Sequence, residues 1–300
     1  MNFRQLECFV AVVDEGSFTR AARRLGITQP SLSQHIKTLE SELEGAVLDR
    51  LPRGVSLTPA GRALLPEARL AVRALERGRQ GARSALALEL GELEIATVLS
   101  MAVGVLPRHI GVWHQRHPNV AIWLHEFRHR NLLEDAVEQG VADFAVGPRP
   151  LRPWEGPLEI VGWEEFVLVV APSDPLAGRE SVPVEELADR SWVLYHADHG
   201  LAGILEEICL RAGFRPRGTV RTSQAEAATR LAAVGVGIAL VPDNVAASGI
   251  ECAVLRFEPR MIREIAVYAR GDWSTTAGAF VDVLRSDARA RPDGVLSIEL

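Results

Sequence analysis

Apolar residues in roughly the first 88 positions recur at spacings of three and four, the period of helices with one buried face. Leu6, Phe9, Val10 and Val13 predict a helix over about Phe3 to Glu15. Ser17 stands where a cap is needed for a second helix, whose inward face is Ala21, Ala22 and Leu25. Gly26 follows the last apolar position, where a helix end favours a left-handed residue. Thr28 then caps a third helix with Pro30 in its first turn, and Leu32, Ile36, Leu39 and Leu43 form its buried stripe. The opposite face shows Gln29, Ser31, Ser33, Gln34 and Lys37, groups able to read base edges and phosphates. The pair reads as a helix–turn–helix. Gly45, Arg50, Arg53, Gly54 and Val55-Ser56-Leu57 suggest a two-stranded wing carrying arginines toward a phosphate or a narrow minor groove.

Thr58-Pro59 restarts a helix that the pattern extends to about Leu88. Leu64, Ala68, Ala71 or Val72, Leu75, Ala82 and Leu86 form a stripe with little neighbouring sequence to cover it, so a second copy is the expected partner. Pro66 should bend this helix or mark its start, and Gly78 and Gly81 weaken it. From Gly91 the period changes. GELEIAT, VAIWLHE and ADFAVG read as strands between helices near 101–117 and 131–139. EEFVLVVAP, SWVLYH, GTVRTS and VGIALVP form a second set, with helices near 201–213 and 224–235. IREIAVYAR and a helix at about 275–289 close the chain. The alternation predicts an α/β class with a parallel sheet, in two lobes around one cleft.

The chain resembles the LysR-type transcriptional regulators from Phe3 to about Phe280. The resemblance rests on LECFVAVVDEGSFTRAARRL, TQPSLSQHIKTLE, VSLTPAG, HPNVAIWLHE, GVADFAVG and LAAVGVGIALVP. It implies a winged helix-turn-helix over 1–58, a linker and dimerisation helix over 59–88, and a periplasmic-binding-protein-like effector domain over 91–300. In that domain, lobe I comprises about 91–161 and 267–300, and lobe II is inserted at about 162–266. It also implies a homodimer or homotetramer, double-stranded operator DNA, RNA polymerase and a small-molecule effector as partners, with no cofactor. Two departures stand out: the glycine usual one position earlier is Gly45 here, preceded by Glu44, and Leu48 replaces the usual phenylalanine. Gln34 occupies a position that is often arginine.

Charge agrees with this order of domains. The net charge of −6 divides into 13 Lys+Arg against 10 Asp+Glu in residues 1–90, and 20 against 29 beyond. Nucleic acid is therefore expected at the N-terminal part. Arg4, Arg23, Arg24, Lys37, Arg50 and Arg53 are the candidate phosphate contacts. No stretch is apolar enough for a membrane span and no secretion signal is seen, so a cytoplasmic location is expected. Cys8, Cys209 and Cys252 are scattered, which argues against disulfides, zinc and redox pairing. The close histidine pairs, such as His125 and His129, lack a third ligand. Gly235 and Gly237 follow a helix and precede a strand, the reverse of a dinucleotide loop. A winged-helix module fused to a catalytic domain is the alternative, but no nucleophile–base pair or carboxylate site stands at recognisable spacing.

Candidate effector contacts lie at turns where strands meet helices. Ser100 reads as a cap before a helix beginning near Met101, with Thr97 one turn earlier. Thr222 and Ser223 form the matching turn in the second lobe. His129, between Arg128 and Arg130, ends one strand, and Arg149 ends another. Cations converging there predict an anionic ligand.

Overall fold

The computed structural model describes residues 1–51, 54–85, 91–246, 249–287 and 291–298. The chain divides into two compact units, one built on Met1–Gly91 and one on Glu92–Val137 and Ala142–Leu300.

The first unit holds α1 (Phe3–Glu15), α2 (Phe18–Arg24), α3 (Gln29–Glu42), β1 (Leu48–Leu51), β2 (Gly54–Leu57) and α4 (Pro59–Ala85). Ser17 and Thr28 cap α2 and α3 by accepting from Arg20 N–H and Ser31 N–H. Phe9, Val12, Ala21, Ala22, Leu32, Ile36 and Leu39 are buried together. Thr58 Oγ1 donates to the Ala46 carbonyl at 2.7 Å and accepts from Gly61 N–H at 3.0 Å. A Cβ on Gly61 would sit 2.0 Å from the Val47 carbonyl oxygen, so no other residue fits against the wing there.

Two expectations for the long helix change. It starts at Pro59 and continues through Pro66, so Pro66 does not mark its start. Its stripe is not one surface: Leu65 and Ala68 are buried in the winged-helix core, with Leu64 and Val72 packed against it, while Leu75 is 44% exposed. Leu64 therefore packs within its own domain because α1 lies against the first turns of α4. Leu86 and Arg53 lie outside the described residues, as do the side chains of Arg50 and Ala82.

The second unit comprises β3 (Gly91–Val98), α5 (Leu99–Gly104), α6 (Leu106–Arg116), β4 (Val120–Phe127), α7 (Arg130–Glu138), β5 (Phe144–Pro148), β6 (Leu158–Val170), β7 (Ser181–Pro183), β8 (Ser191–Tyr195), α8 (Gly200–Arg211), β9 (Arg217–Thr222), α9 (Ala225–Ala233), β10 (Ala239–Pro242), α10 (Asp243–Ala246), β11 (Ala253–Tyr268), α11 (Thr275–Arg285) and β12 (Leu296–Ser297). The sheet is mixed rather than parallel. Its order is β10-β6-β11-β5-β3-β4, with β7 and β12 beside β11. β6 pairs antiparallel with β10 and β11, β11 antiparallel with β5, and β3 parallel with β5. β8 and β9 form a separate parallel pair.

Two cores share this sheet because β6 and β11, 13 and 16 residues long, serve both. Val161 and Ile265 belong to one core, Phe166 and Met261 to the other. The β6–β11 register slips between Ile265 and Ala266, at the crossing. The sequence boundaries place 267–300 in lobe I, but β12 pairs with Met261 and Ile262 and Ile298 is buried in the lobe II core.

Candidate nucleic-acid interface and effector cleft

α3 presents Gln29, Pro30, Ser31, Gln34 and Lys37 to solvent, with Ser33 half-buried beside them. Arg23 is exposed at the end of α2. The wing is tied to α3 by Glu40, whose Oε1 accepts from Val47 N–H at 3.1 Å and Leu48 N–H at 3.3 Å. Of the candidate phosphate contacts, Arg24 is engaged with Asp14 and Glu15, and Arg4 with Glu7. Arg23 and Lys37 have no ion pair among the described residues. The turn after α3 closes with Gly45 N–H on the Glu40 carbonyl at 3.0 Å and Glu44 N–H on the Ser41 carbonyl at 3.3 Å. In that arrangement the left-handed residue is Glu44, at φ 51°.

In the second unit, a narrow cleft of about 20 Å³ lies between the lobes. Ser100, Arg128, His129, Arg130, His199, Gly200 and Arg263 supply its polar lining. The first residues of α7 and α8, one helix from each lobe, meet across it. Gly200 N–H donates to the Arg128 carbonyl at 2.8 Å. His129 Nδ1 accepts from Asn131 N–H at 3.2 Å, and His199 Nδ1 from Leu201 N–H at 3.1 Å, so each imidazole caps the helix that follows it. Arg263 is buried and its Nε donates to Glu164 Oε1. Its Nη2 donates to Ser100 Oγ at 2.9 Å, and the guanidinium lies 5.3 Å above the Phe166 ring. Glu164 Oε2 accepts from Asn244 Nδ2 at 3.1 Å. Asp198 pairs with Arg128 at 2.9 Å. No carboxylate lines the cleft among the described residues. Two helix N-termini and this cationic lining favour an anion.

A larger hollow of about 400 Å³ lies against the same strands, lined by Trp163, Arg108, His109, Asp243 and Asp287 among others. Its lining includes the carboxylates of Asp243 and Asp287, so it does not select an anion.

A family model described as bacterial regulatory helix-turn-helix protein, lysR family, matches residues 3–62, and one described as LysR substrate binding domain matches residues 87–289. The chain belongs to the LysR family. It is a DNA-binding transcriptional regulator with an effector-binding domain, and the family's members are regulators rather than enzymes. It is 31% identical to the HTH-type transcriptional regulator AlsR of Bacillus subtilis (strain 168) over 252 residues, 81% of each chain. A full-length OxyR variant from Pseudomonas aeruginosa shares its fold with a TM-score of 0.73, covering 95% of this chain and 94% of that one at 24% identity. Full-length CbnR in complex with its target DNA aligns with a TM-score of 0.55 at 25% identity, covering 95% and 99%.

Within this LysR-family domain, the expected effector residues part company. Ser100 and His129 line the cleft. Ser100 does not cap α5: the helix begins at Leu99, and Ser100 is held by Arg263 instead. Thr97 is buried and donates to the Val146 carbonyl at 2.7 Å, and Met101 is a core residue. Arg149 pairs with Glu264 at 3.3 Å beside a neighbouring hollow. Thr222 and Ser223 are half-buried and do not line the cleft, and Thr222 Oγ1 accepts from Gln224 N–H at 3.2 Å. Sequence reasoning missed Arg263 and His199. The signal for His199 was its place just before a helix. Cys8 and Cys209 are buried, and burial pushes the Cys209 thiol up to about 12. Such a thiol is a poor nucleophile for peroxide or disulfide chemistry.

Proposed function

We propose that this chain works in the cytoplasm as a regulator whose action on its operator is set by a small anionic effector bound between α7 and α8. α3 reads base edges, the wing and Arg23 hold phosphates, and two copies pair through the helix after Thr58. Two such dimers join through effector domains, and the assembly acts on RNA polymerase at the promoter. The effector shifts the population between lobe arrangements, and with it the spacing of the DNA-binding pairs. One observation supports this most: the N-termini of α7 and α8 and the Arg263 guanidinium meet in one cleft that no carboxylate lines. The test is retardation of the DNA upstream of its own coding sequence, with small carboxylates and phosphates added in turn, alongside light scattering. A specific complex altered by an anion supports the reading. DNA binding indifferent to every anion, by a monomer, defeats it.

A further inference from the structure

His199 is 3% exposed, and its Nε2 has no hydrogen-bond partner among the described residues, although it lies in a polar cleft. Its Nδ1 is already fixed as an acceptor, because the group facing it is a backbone N–H, which only donates. The ring proton therefore sits on Nε2. A buried donor left without an acceptor is costly, and native structures rarely leave one without a reason. Adding a second proton would set Nδ1–H against Leu201 N–H and lose the cap of α8. The ring is also held flat against Tyr195, with centroids 4.9 Å apart and planes 15° apart.

We infer that His199 is a specificity-determining residue of the effector site: a neutral imidazole, locked in one tautomer, whose Nε2–H donates to an oxygen of the bound oxyanion. This rests on the reading of the cleft as an anion site. The charged and titratable groups around the ring are Arg128 and His129 from the β4–α7 connection, Arg263 from β11 and Asp198 beside it. Burial and the Arg263 guanidinium hold the imidazole down to about 4, with Asp198 opposing, so the ring stays neutral across the physiological range. The site thus combines formal charge from the arginines with one uncharged, directional donor. That combination rewards an oxygen at one position. Carboxylate and phosphate ligands share it.

The imidazole's two nitrogens have two jobs, and two variants separate them. His199→Asn places an amide oxygen near the Nδ1 position and keeps the cap, but has nothing at Nε2. His199→Gln extends an amide N–H toward the Nε2 position and gives up the cap. Full-length wild type is first titrated calorimetrically with inorganic phosphate, malonate and benzoate, with sodium chloride as the ionic-strength control. The anion that binds is then titrated into both variants. His199→Asn should melt with wild type and bind the anion about tenfold more weakly. His199→Gln should melt earlier yet bind more tightly than His199→Asn. Wild-type affinity should hardly change between about pH 6 and 8 on account of this ring. Phosphate and the carboxylates compete as alternative sources of the same oxygen, and whichever binds identifies the class. Equal affinity of wild type and His199→Asn overturns the inference and leaves the cleft assignment standing. No binding of any anion to wild type overturns the cleft assignment and the inference together.

Discussion

Arg263 Nη2 donates to Ser100 Oγ at 2.9 Å, while its Nε is held by Glu164. The guanidinium thereby joins the start of α5 to the two strands on which both lobes are built. Glu164 is buried, so the pair stands or falls together. Arg263→Met should destabilise the protein by about 3–5 kcal/mol in chemical denaturation, because it strands a buried carboxylate. The double variant Arg263→Met/Glu164→Met should recover most of that loss. A double variant no better than the single would place the cost elsewhere. Ser100→Ala should cost only about 1 kcal/mol, since it removes a single acceptor from the guanidinium.

The turn after α3 carries a residue that does not suit it. Glu44 occupies the left-handed position at φ 51°, where an L side chain is strained and glycine is not. Glu44→Gly should raise stability by about 1 kcal/mol, read as a higher Tm. Gly45→Ala should be near neutral, since a Cβ there would meet only the Leu43 carbonyl oxygen, at 3.8 Å.

On DNA, Gln29→Ala and Ser33→Ala should each lose about 1–3 kcal/mol of discrimination between operator and random sequence. Lys37→Ala should weaken both alike and reduce the salt slope by about one. Titrations at several salt concentrations separate these outcomes. Unchanged operator preference in both helix variants would remove α3 as the reading element.

Leu75 is exposed on α4 beyond the part packed on α1. Leu75→Asp should leave the melting of the winged-helix unit unchanged and shift light-scattering mass toward the monomer, since a seam with a partner helix would bury the charge. Retained mass would move the seam off this position.

His199 also makes stability depend on pH. Its ordinary value of 6.5 falls to about 4 in the folded chain, so the unfolded chain binds more protons between those values. Stability contributed by the neutral ring is present above 6.5 and lost as the pH falls toward 4. Denaturation midpoints across that window should fall less steeply for His199→Asn than for wild type.

The sequence by itself determined what depends on neighbours in the chain. The caps at Ser17, Thr28 and Thr58 and the left-handed Gly26 are decided within a few residues, so the winged helix was legible with its reading face. The α/β character of the remainder was legible from its changing period. Tertiary structure alone decided the rest. Charged residues such as Glu159, Arg256, Glu258 and Arg260 interrupt the apolar pattern of β6 and β11, so only part of each read as a strand and their antiparallel pairing was invisible. That pairing unites Arg263 with Glu164 across 99 positions and turns a seemingly parallel sheet into a mixed one. Leu64 and Leu75 share one periodic stripe, yet the packing of α1 on α4 half-buries the first and leaves the second in solvent. The cleft was placed at Thr222 by analogy between turns. The lobes instead bring α8 there, because which helix ends face each other depends on strand order, which local periodicity does not encode.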